Sequence, residues 1–340
     1  MTLPIPSGTR DVLPDEMRER QGVVSALRDH FAARGYGEVA TPAVEYASVL
    51  ERAGIGPADD GVARPRFRTV DEHGETLVLR PDMTVPIARL VASRFGDVEP
   101  PIRLSYLAHC YRGILPGRGE ARELLQAGIE LCGAGAPDGT AEALTVLVGA
   151  LRAVGLEEAR VTVGDAALFP ALLDAVGIAA DARPAILHEL ATRDHVGLER
   201  EVRAATDAAT AALLLDVAAR RGGPELLEAT SDERVRTALG GLAQLLERLD
   251  DDVRSRVILD LGLTRKLGYY TGAVFEVYVP GQGHAIGGGG RYDDLLGRFG
   301  RPLPAVGFAL DVDALHTALV GVARGRWRVD PTVANGGGAA

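Results

Sequence analysis

Several residues and motifs that carry chemistry are scarce or absent in this 340-residue chain. Lysine occurs once, as Lys266 followed by Leu267, so a phosphate-binding loop of the GxxxxGK[ST] type cannot form. GxGxxG, GxSxG and HExxH are absent too, which removes the commonest nucleotide-binding, hydrolase and metalloprotease interpretations. The seven histidines are scattered, and none is spaced like a pair of metal ligands. We therefore predict no metal site and no bound cofactor.

Cysteine is equally scarce, since Cys110 and Cys132 are the only two. Two isolated cysteines make neither a disulfide framework nor a zinc site, so both are predicted to be small buried side chains. No apolar run is long enough to cross a membrane, and the N-terminus lacks the basic and apolar regions of a secretory signal. We therefore expect a cytoplasmic protein with no membrane partner.

Basic residues are outnumbered by acidic ones, 37 to 47, which gives a net charge of −10. This balance argues against a surface devoted to polyanions, so no nucleic-acid partner is expected. The chain is 46% hydrophobic and 25% charged, as in ordinary globular proteins. Its length allows more than one domain around a sizeable core.

Strand-like segments occur on both sides of a helical middle. Segments 101–113 and 121–133 predict two strands with a short connection, which makes them an antiparallel hairpin. The middle is rich in Ala and Leu at helical spacing, which predicts a helical insertion. The pattern predicts an α+β fold in which helices flank an antiparallel sheet. The predicted parts are a core in two pieces (1–165 and 253–322), the insertion (166–252) and a disordered tail (323–340).

Every second residue of the second hairpin strand is predicted to share one face, and three of the residues on this face are polar. Arg122, Gln126 and Glu130 share one face of this strand. Such a face is either exposed to solvent or the lining of a polar pocket. Asp82, between a predicted strand and a helix, is either a cap or turn residue or a second pocket carboxylate. The sequence leaves these alternatives open.

Tyrosines and glycines supply the other candidate site residues. Tyr269 and Tyr270 are adjacent, so in a strand one would face the core and the other a pocket. In "HAIGGGGRYDDLLGRFG" (284–300), four glycines let a phosphate, a small polar ligand or another layer of protein approach the backbone. Carboxylates, an amide, arginines and phenols together are the groups that hold a zwitterion with a ring.

Six segments, in order over about residues 5 to 320, resemble histidyl-tRNA synthetase, a class II aminoacyl-tRNA synthetase. "GYGEVATPAVE" resembles motif 1, the strand of the dimer interface, and "LRPDMT" resembles LRPEGT. "YRGILPGRGEARELLQAGIELCG" resembles motif 2, FRxERPQxGRxRxFxQxGxExxG. "RKLGYYTGAVFE" and "GGGGRYDDLL" resemble the histidine-recognition segments, and "AVGFALDVDAL" resembles motif 3.

Departures from the synthetase pattern fall mainly on the side that binds ATP. Ile114 replaces a motif 2 glutamate that contacts ATP, Ala314 replaces the motif 3 arginine that holds the γ-phosphate, and Asp311 replaces a glycine. Loss of a cationic clamp and gain of a negative charge both weaken phosphate binding. Gly268 replaces the aspartate of RGLDYY, and the resemblance ends before the synthetase's anticodon-binding domain.

The resemblance implies a retained histidine pocket. Its carboxylates and amide are expected at the ammonium group, its arginines at the carboxylate and phosphate side, and its tyrosines around the imidazole beside the glycine run. The implied histidine-binding residues are Asp82, Met83, Thr84, Arg112, Gln126, Glu130, Arg265, Tyr269, Tyr270 and Tyr292.

A synthetase-like chain with such a pocket and a damaged ATP site resembles the regulatory subunits of ATP phosphoribosyltransferase. That resemblance implies a chain without catalytic residues, required by a short-form catalytic subunit and involved in L-histidine feedback on the first step of histidine biosynthesis. It also implies a homodimer through the motif 1 region within a hetero-oligomer. Arg112 and Arg265 keep open a histidine-activating enzyme that acts without an anticodon domain, and a stand-alone histidine sensor fits the pocket equally well.

Overall fold

The computed structural model describes residues 3–55, 66–113, 121–228, 230–264 and 268–323. Its helices pack on a nine-stranded and a three-stranded sheet. The strands are β1 Gly37–Glu38, β2 Val44–Tyr46, β3 Arg68–Val70, β4 Thr76–Leu79, β5 Ile102–Tyr111, β6 Glu123–Cys132, β7 Arg160–Asp165, β8 Arg221–Gly222, β9 Val257–Asp260, β10 Ala273–Tyr278, β11 Gly287–Arg291 and β12 Ala305–Asp311. The helices are α1 Pro14–Ala33, α2 Ala47–Arg52, α3 Thr84–Arg94, α4 Asp138–Ala153, α5 Leu168–Ala175, α6 Arg183–Thr192, α7 His195–Ala205, α8 Ala208–Ala219, α9 Glu233–Ala238, α10 Gly240–Arg248, α11 Asp251–Arg254, α12 Leu295–Arg298 and α13 Val312–Ala323.

The large sheet has the strand order β1-β5-β6-β12-β11-β10-β7-β9-β8. Its longest pair, β5 and β6, forms the predicted antiparallel hairpin, in register from Ile102 opposite Cys132 to Tyr111 opposite Glu123. The expectation of an antiparallel sheet needs one correction, because β1–β5 and β7–β9 are parallel pairs. Strands paired in parallel need a crossover between them. The small sheet with α2 and α3 lies between β1 and β5, and mainly helices lie between β7 and β9. The fold is α+β, as predicted.

The two faces of this sheet are covered differently. On β6, Ala127, Ile129 and Leu131 enter a core shared with α1, α4, α13 and the helices after β7. The side chains between them point to the opposite face, where β5 contributes Tyr106 to a second core beside α3. This alternation is the one predicted for the hairpin. It places the polar positions of β6 on the face that also carries α3.

The segment that resembles the motif 1 strand forms two short strands in different sheets. β1 pairs with β5 at an edge of the large sheet, whereas β2 pairs with β4 in the small sheet, whose order is β2-β4-β3. Pro42 lies between them and cannot donate a ladder hydrogen bond. Buried Arg80 anchors this crossing, because its guanidinium donates to the carbonyl oxygens of Thr41, Pro42 and His109 at 2.7, 3.1 and 2.8 Å.

The glycine run forms an inner strand, β11, a strand that the sequence pattern did not predict. It pairs antiparallel with β10 on one side and β12 on the other. A Cβ at Gly290 would lie 2.8 Å from the ring of Tyr270, so a larger residue would displace that ring. Because the glycines have no side chains, the aromatic ring can pack directly against the backbone of β11.

The segment predicted as a helical insertion is mostly helical, with α5 to α11 between β7 and β9. A two-residue strand, β8, extends the sheet edge beside β9, followed by a 3₁₀ turn at Pro224–Leu227. Both cysteines are buried and free, which confirms their prediction. Within the described ranges, no helix is long and apolar enough to span a membrane.

Candidate functional site

A cavity of about 160 Å³ lies on the polar face of β6. Ligand pockets for drug-sized molecules occupy about 300–1,000 Å³, so this cavity suits a single amino acid better than a nucleotide. Strands β6, β11 and β12 form its floor, and the turn before α3 and the segment before β10 form its walls. The described lining residues are Asp82, Thr84, Tyr106, Arg112, Leu124, Gln126, Tyr269, Tyr270, Ala285, Ile286, Gly287, Gly288, Gly289, Tyr292, Gly307, Phe308, Ala309 and Asp311.

Glu130 is on the same face of β6 as Gln126, is absent from the described cavity lining and is only 1% exposed. Its carboxylate accepts hydrogen bonds from the hydroxyls of Thr84, at 2.8 Å, and Tyr292. Burial raises its pKa to about 8; both hydrogen bonds oppose the rise and the negative charge of Asp82 adds to it. Gly307 faces it on β12, where a Cβ would collide with the carboxylate. Glu130 is thus a buried acid whose ionisation is costly without a cation nearby.

Gln126 supplies an acceptor without a partner. The residue is 7% exposed, and its Oε1 is buried with no hydrogen-bond partner among the described residues. A buried acceptor left in this state costs about 1–3 kcal/mol. A ligand that donates an N–H from inside the cavity removes that cost. This is the structural feature that most directly indicates a donor-bearing ligand.

Asp82 combines the two roles that its sequence position left open. Its Oδ1 accepts a hydrogen bond from the backbone N–H of Val85, 3.2 Å away, in the first turn of α3. The same side chain lines the cavity. Burial raises its pKa, and the hydrogen bond from Val85 and the positive charge of Arg112 oppose that rise. The carboxylate is therefore held in place by α3 while it faces the ligand space.

Arg112 follows β5 and is the single base among the lining residues that the structure describes. Its Nε donates to the carbonyl oxygen of Pro81, 3.1 Å away, and its backbone N–H donates to the carbonyl oxygen of Arg122, 2.8 Å away. These bonds fix the arginine beside the turn that carries Asp82. Arg265, the second predicted arginine, lies outside the described residues, as does Ile114.

The tyrosines form an aromatic wall. The ring centroids of Tyr269 and Tyr270 are 4.8 Å apart, and those of Tyr269 and Tyr292 are 5.8 Å apart at 78°. Tyr269 is a buried core residue and Tyr270 a pocket residue, as expected, but Tyr269 lines the cavity as well. The reason is that β10 begins only at Ala273, so strand alternation does not apply to the pair.

The remaining predicted residue, Met83, is fully buried in the hydrophobic core and is absent from the cavity wall. Sequence reasoning missed Tyr106, whose hydroxyl donates to the carbonyl oxygen of Phe308, 3.4 Å away. Tyr106 is paired with Gly128 across the hairpin. A large side chain opposite a glycine in paired strands was the available signal.

The end of the cavity near α13 has changed most from the synthetase pattern. Ala314 is partly buried and packs against the core, so no cation projects from this position. Asp311 lines the cavity, and its Oδ1 accepts from the backbone N–H groups of Asp313 at 2.9 Å and Ala314 at 3.1 Å. Among the described residues, no group of three or more His, Cys, Asp or Glu could hold a metal ion.

Fold and site together define a protein of the class II aminoacyl-tRNA synthetase type. The family model for histidyl-tRNA synthetase matches residues 8–315. A histidyl-tRNA synthetase structure from Nostoc sp. shares the fold, with a TM-score of 0.76 over 95% of this chain and 76% of that one at 20% identity.

More similar proteins carry a narrower name. Two curated proteins named ATP phosphoribosyltransferase regulatory subunit are similar to this chain. The one from Rubrobacter xylanophilus is 40% identical over 92% of this chain and 76% of its own length. The one from Symbiobacterium thermophilum is 41% identical over 92% and 79%. A structure from Bacillus halodurans, described as an ATP phosphoribosyltransferase regulatory subunit/histidyl-tRNA synthetase, has a TM-score of 0.82 at 33% identity over 94% of this chain and 84% of that chain. The chain therefore belongs to the family of ATP phosphoribosyltransferase regulatory subunits.

Proposed function

We propose that this chain is the regulatory subunit of an ATP phosphoribosyltransferase, that it binds L-histidine, and that it has no catalytic role of its own. The observation that carries the proposal is a cavity that has the groups needed to bind a free amino acid. At the end of the cavity that corresponds to the ATP site of the synthetase, the phosphate-binding groups are missing. Asp82 and the unpartnered Gln126 face the cavity, whereas Ala314 stands where the synthetase has its phosphate-binding arginine. The names of the relatives support an ATP phosphoribosyltransferase catalytic subunit as the partner, and we propose that this partner is of the short form.

The proposed histidine pose follows from charge and shape. Asp82, Gln126 and Asp311 are side-chain acceptors in the cavity wall. We place the ammonium group over Asp82 and Gln126, because the buried carboxylate of Glu130, which accepts from Thr84, adds negative charge near Asp82. The carboxylate faces Arg112, and we propose that Arg265 joins it there. The imidazole lies between the aromatic wall and the bare backbone of β11. Thr84 and Tyr292 act through Glu130, to which they donate, and Met83 supports the wall from the core.

Feedback requires that histidine distinguishes between two states of the complex. A ligand shifts an equilibrium only by the difference between its affinities for the two states. In this proposal the cavity is the sensing site, and the two pieces of the core (1–165 and 253–322) hold it. The helical insertion at 166–252 interrupts this core in the sequence, and its helices pack into the same hydrophobic core.

We also propose that the chain forms a homodimer through the small sheet. Val44 and Tyr46 on β2 are 38% and 48% exposed. They stand opposite Leu79 and Leu77 of β4, so these four side chains share one face. An exposed apolar sheet face on the segment that resembles motif 1 is typical of a protein–protein contact.

Replacing Tyr46 by arginine is expected to dissociate this dimer, because a guanidinium in an apolar interface loses its hydration without a partner. Val70→Arg is the matched control. Val70 is also exposed, yet it lies opposite Thr76 and so faces the other side of the sheet. Sedimentation velocity should show a dimer for the wild type and the control, and a monomer for Tyr46→Arg. An unchanged dimer in Tyr46→Arg would contradict the assignment of this face.

The proposed function is tested by producing the full chain together with a short-form ATP phosphoribosyltransferase catalytic subunit. We expect the two to co-purify, the catalytic subunit to be active only in the complex, and histidine to inhibit that activity. A catalytic subunit equally active without this chain would refute the regulatory proposal. Failure to co-purify, with intact histidine binding, would favour a stand-alone histidine sensor.

A second measurement on the same preparation separates regulation from amino-acid activation. The isolated chain is expected to bind L-histidine in calorimetry and to support no histidine-dependent ATP–pyrophosphate exchange. The reason is that Ala314 supplies no cation and Asp311 adds a negative charge on the phosphate side. Robust exchange would overturn the non-catalytic assignment and restore an activating enzyme.

A further inference from the structure

Asp311, at the end of β12, stands directly opposite Gln126 of β6 in the antiparallel register. Both side chains line the cavity, so a carboxylate lies beside the unpartnered amide oxygen. Directly opposed residues in paired strands have Cβ atoms about 4.5–5.5 Å apart. A ligand group that reaches Gln126 from inside the cavity is therefore within short range of the Asp311 charge.

The same carboxylate occupies the N-terminus of α13. Free backbone N–H groups at a helix N-terminus attract anions, and this helix is 12 residues long. Here Oδ1 of Asp311 accepts the N–H groups of Asp313 and Ala314 at 2.9 and 3.1 Å. The positive end of the helix is thus already neutralised by an anion of the protein itself.

The charges around the cavity favour cations. Among its described lining residues, Asp82 and Asp311 are acids and Arg112 is the single base. A third acid, Glu130, is buried next to the wall and accepts a hydrogen bond from the lining residue Thr84. Loss of the motif 3 arginine at Ala314 removes an attraction for phosphate, but it leaves that position neutral. Asp311 adds repulsion, which at these distances is worth at least about tenfold in affinity for each phosphate charge.

We infer that Asp311 is a specificity-determining residue that closes this cavity to phosphate-bearing ligands and reserves it for a free amino acid. The inference rests on the proposed function, since it takes the ligand to be an amino acid. The inference differs from the simpler explanation that the chain has only lost ATP-binding groups. If that were the whole explanation, replacing Asp311 would not increase the affinity for ATP. Among the described lining residues, Arg112 is the cation that could still attract a phosphate once the Asp311 charge is removed.

The test measures binding of ATP and of inorganic pyrophosphate to the full chain by calorimetry, with L-histidine measured in parallel. Asp311→Asn keeps the size and the capping hydrogen bonds and removes the charge, because Asn caps helices about as well as Asp. Asp311→Gly restores the synthetase residue. Both variants are expected to bind ATP and pyrophosphate at least about tenfold more tightly than the wild type.

Asp313→Asn is the matched control. It removes the same charge from the same helix end, but Asp313 is absent from the cavity wall and pairs with Arg10 and Arg20 instead. No gain in ATP binding is expected from it. The inference is overturned if the wild type already binds ATP as tightly as Asp311→Asn, if neither Asp311 variant gains affinity, or if Asp313→Asn gains equally. Absence of histidine binding to the wild type, with the Asp311 gain intact, would instead count against the proposed function alone.

Discussion

Glu130→Ala is expected to weaken L-histidine binding by at least about thirtyfold, the largest effect expected of any substitution at the site. The carboxylate is buried beneath the proposed ammonium position and accepts hydrogen bonds from Thr84 and Tyr292. Removing one partner of a buried charge pair costs about 2–5 kcal/mol, partly because the other charge stays unpaired. Titration calorimetry of the full chain near pH 8 measures the loss.

A matched control comes from a second carboxylate that also accepts from a tyrosine. Glu142 on α4 accepts a hydrogen bond from Tyr36 at 2.8 Å and pairs with Arg103, away from the cavity. Glu142→Ala should leave histidine affinity unchanged. Glu130→Gln retains the size of the side chain, so a loss shared by both Glu130 variants reports the charge. Unchanged affinity in Glu130→Ala would mean that histidine binds elsewhere, for example at a subunit interface.

Much of the site could be predicted from sequence because its strands carry side chains that alternate. Gln126 and Glu130 are an even number of residues apart, which predicted that they share one face of a strand. In the structure both side chains are on the same face of β6. Alternation could not show whether this face is exposed to solvent or lines a pocket. The answer depends on α3 and the segment before β10, which cover the face but are distant in sequence. The resemblance to a family supplied that choice for Asp82 and Tyr292.

β11 shows where the pattern carried no information. Four glycines have no polar or apolar side chains, so they produce no strand periodicity, and glycine is depleted in strands. The strand exists because β10 and β12 supply hydrogen bonds on both sides. Similarly, the partnerless Oε1 of Gln126 and the raised pKa of Glu130 depend on tertiary contacts. No single segment of sequence contains them.

The pH dependence of stability is the second large expected effect, and Glu130 is its main source. The pKa of its carboxyl is raised from 4.5 to about 8 in the folded chain by burial. Between those two values the folded chain holds a proton that the unfolded chain has released. Stability is therefore greatest below the lower value and is lost as pH rises through the window, by at most about 1.4 kcal/mol per pH unit from this group.

Urea unfolding of the ligand-free chain at several pH values from 5 to 8 measures this slope. Glu130→Gln, which stays neutral throughout, should flatten it, and the remaining slope would come from the other groups with shifted pKa values. These are the buried acids Asp82, Asp165 and Asp311, whose pKa values are raised, and His30, whose pKa is lowered by burial and which acts in the opposite direction. Parallel profiles for the wild type and Glu130→Gln would contradict the assignment.

Histidine connects this slope to function. Its ammonium group favours the ionised form of Glu130, so the stabilisation by histidine should be larger at pH 8 than at pH 6 in the wild type, and the difference should shrink in Glu130→Gln.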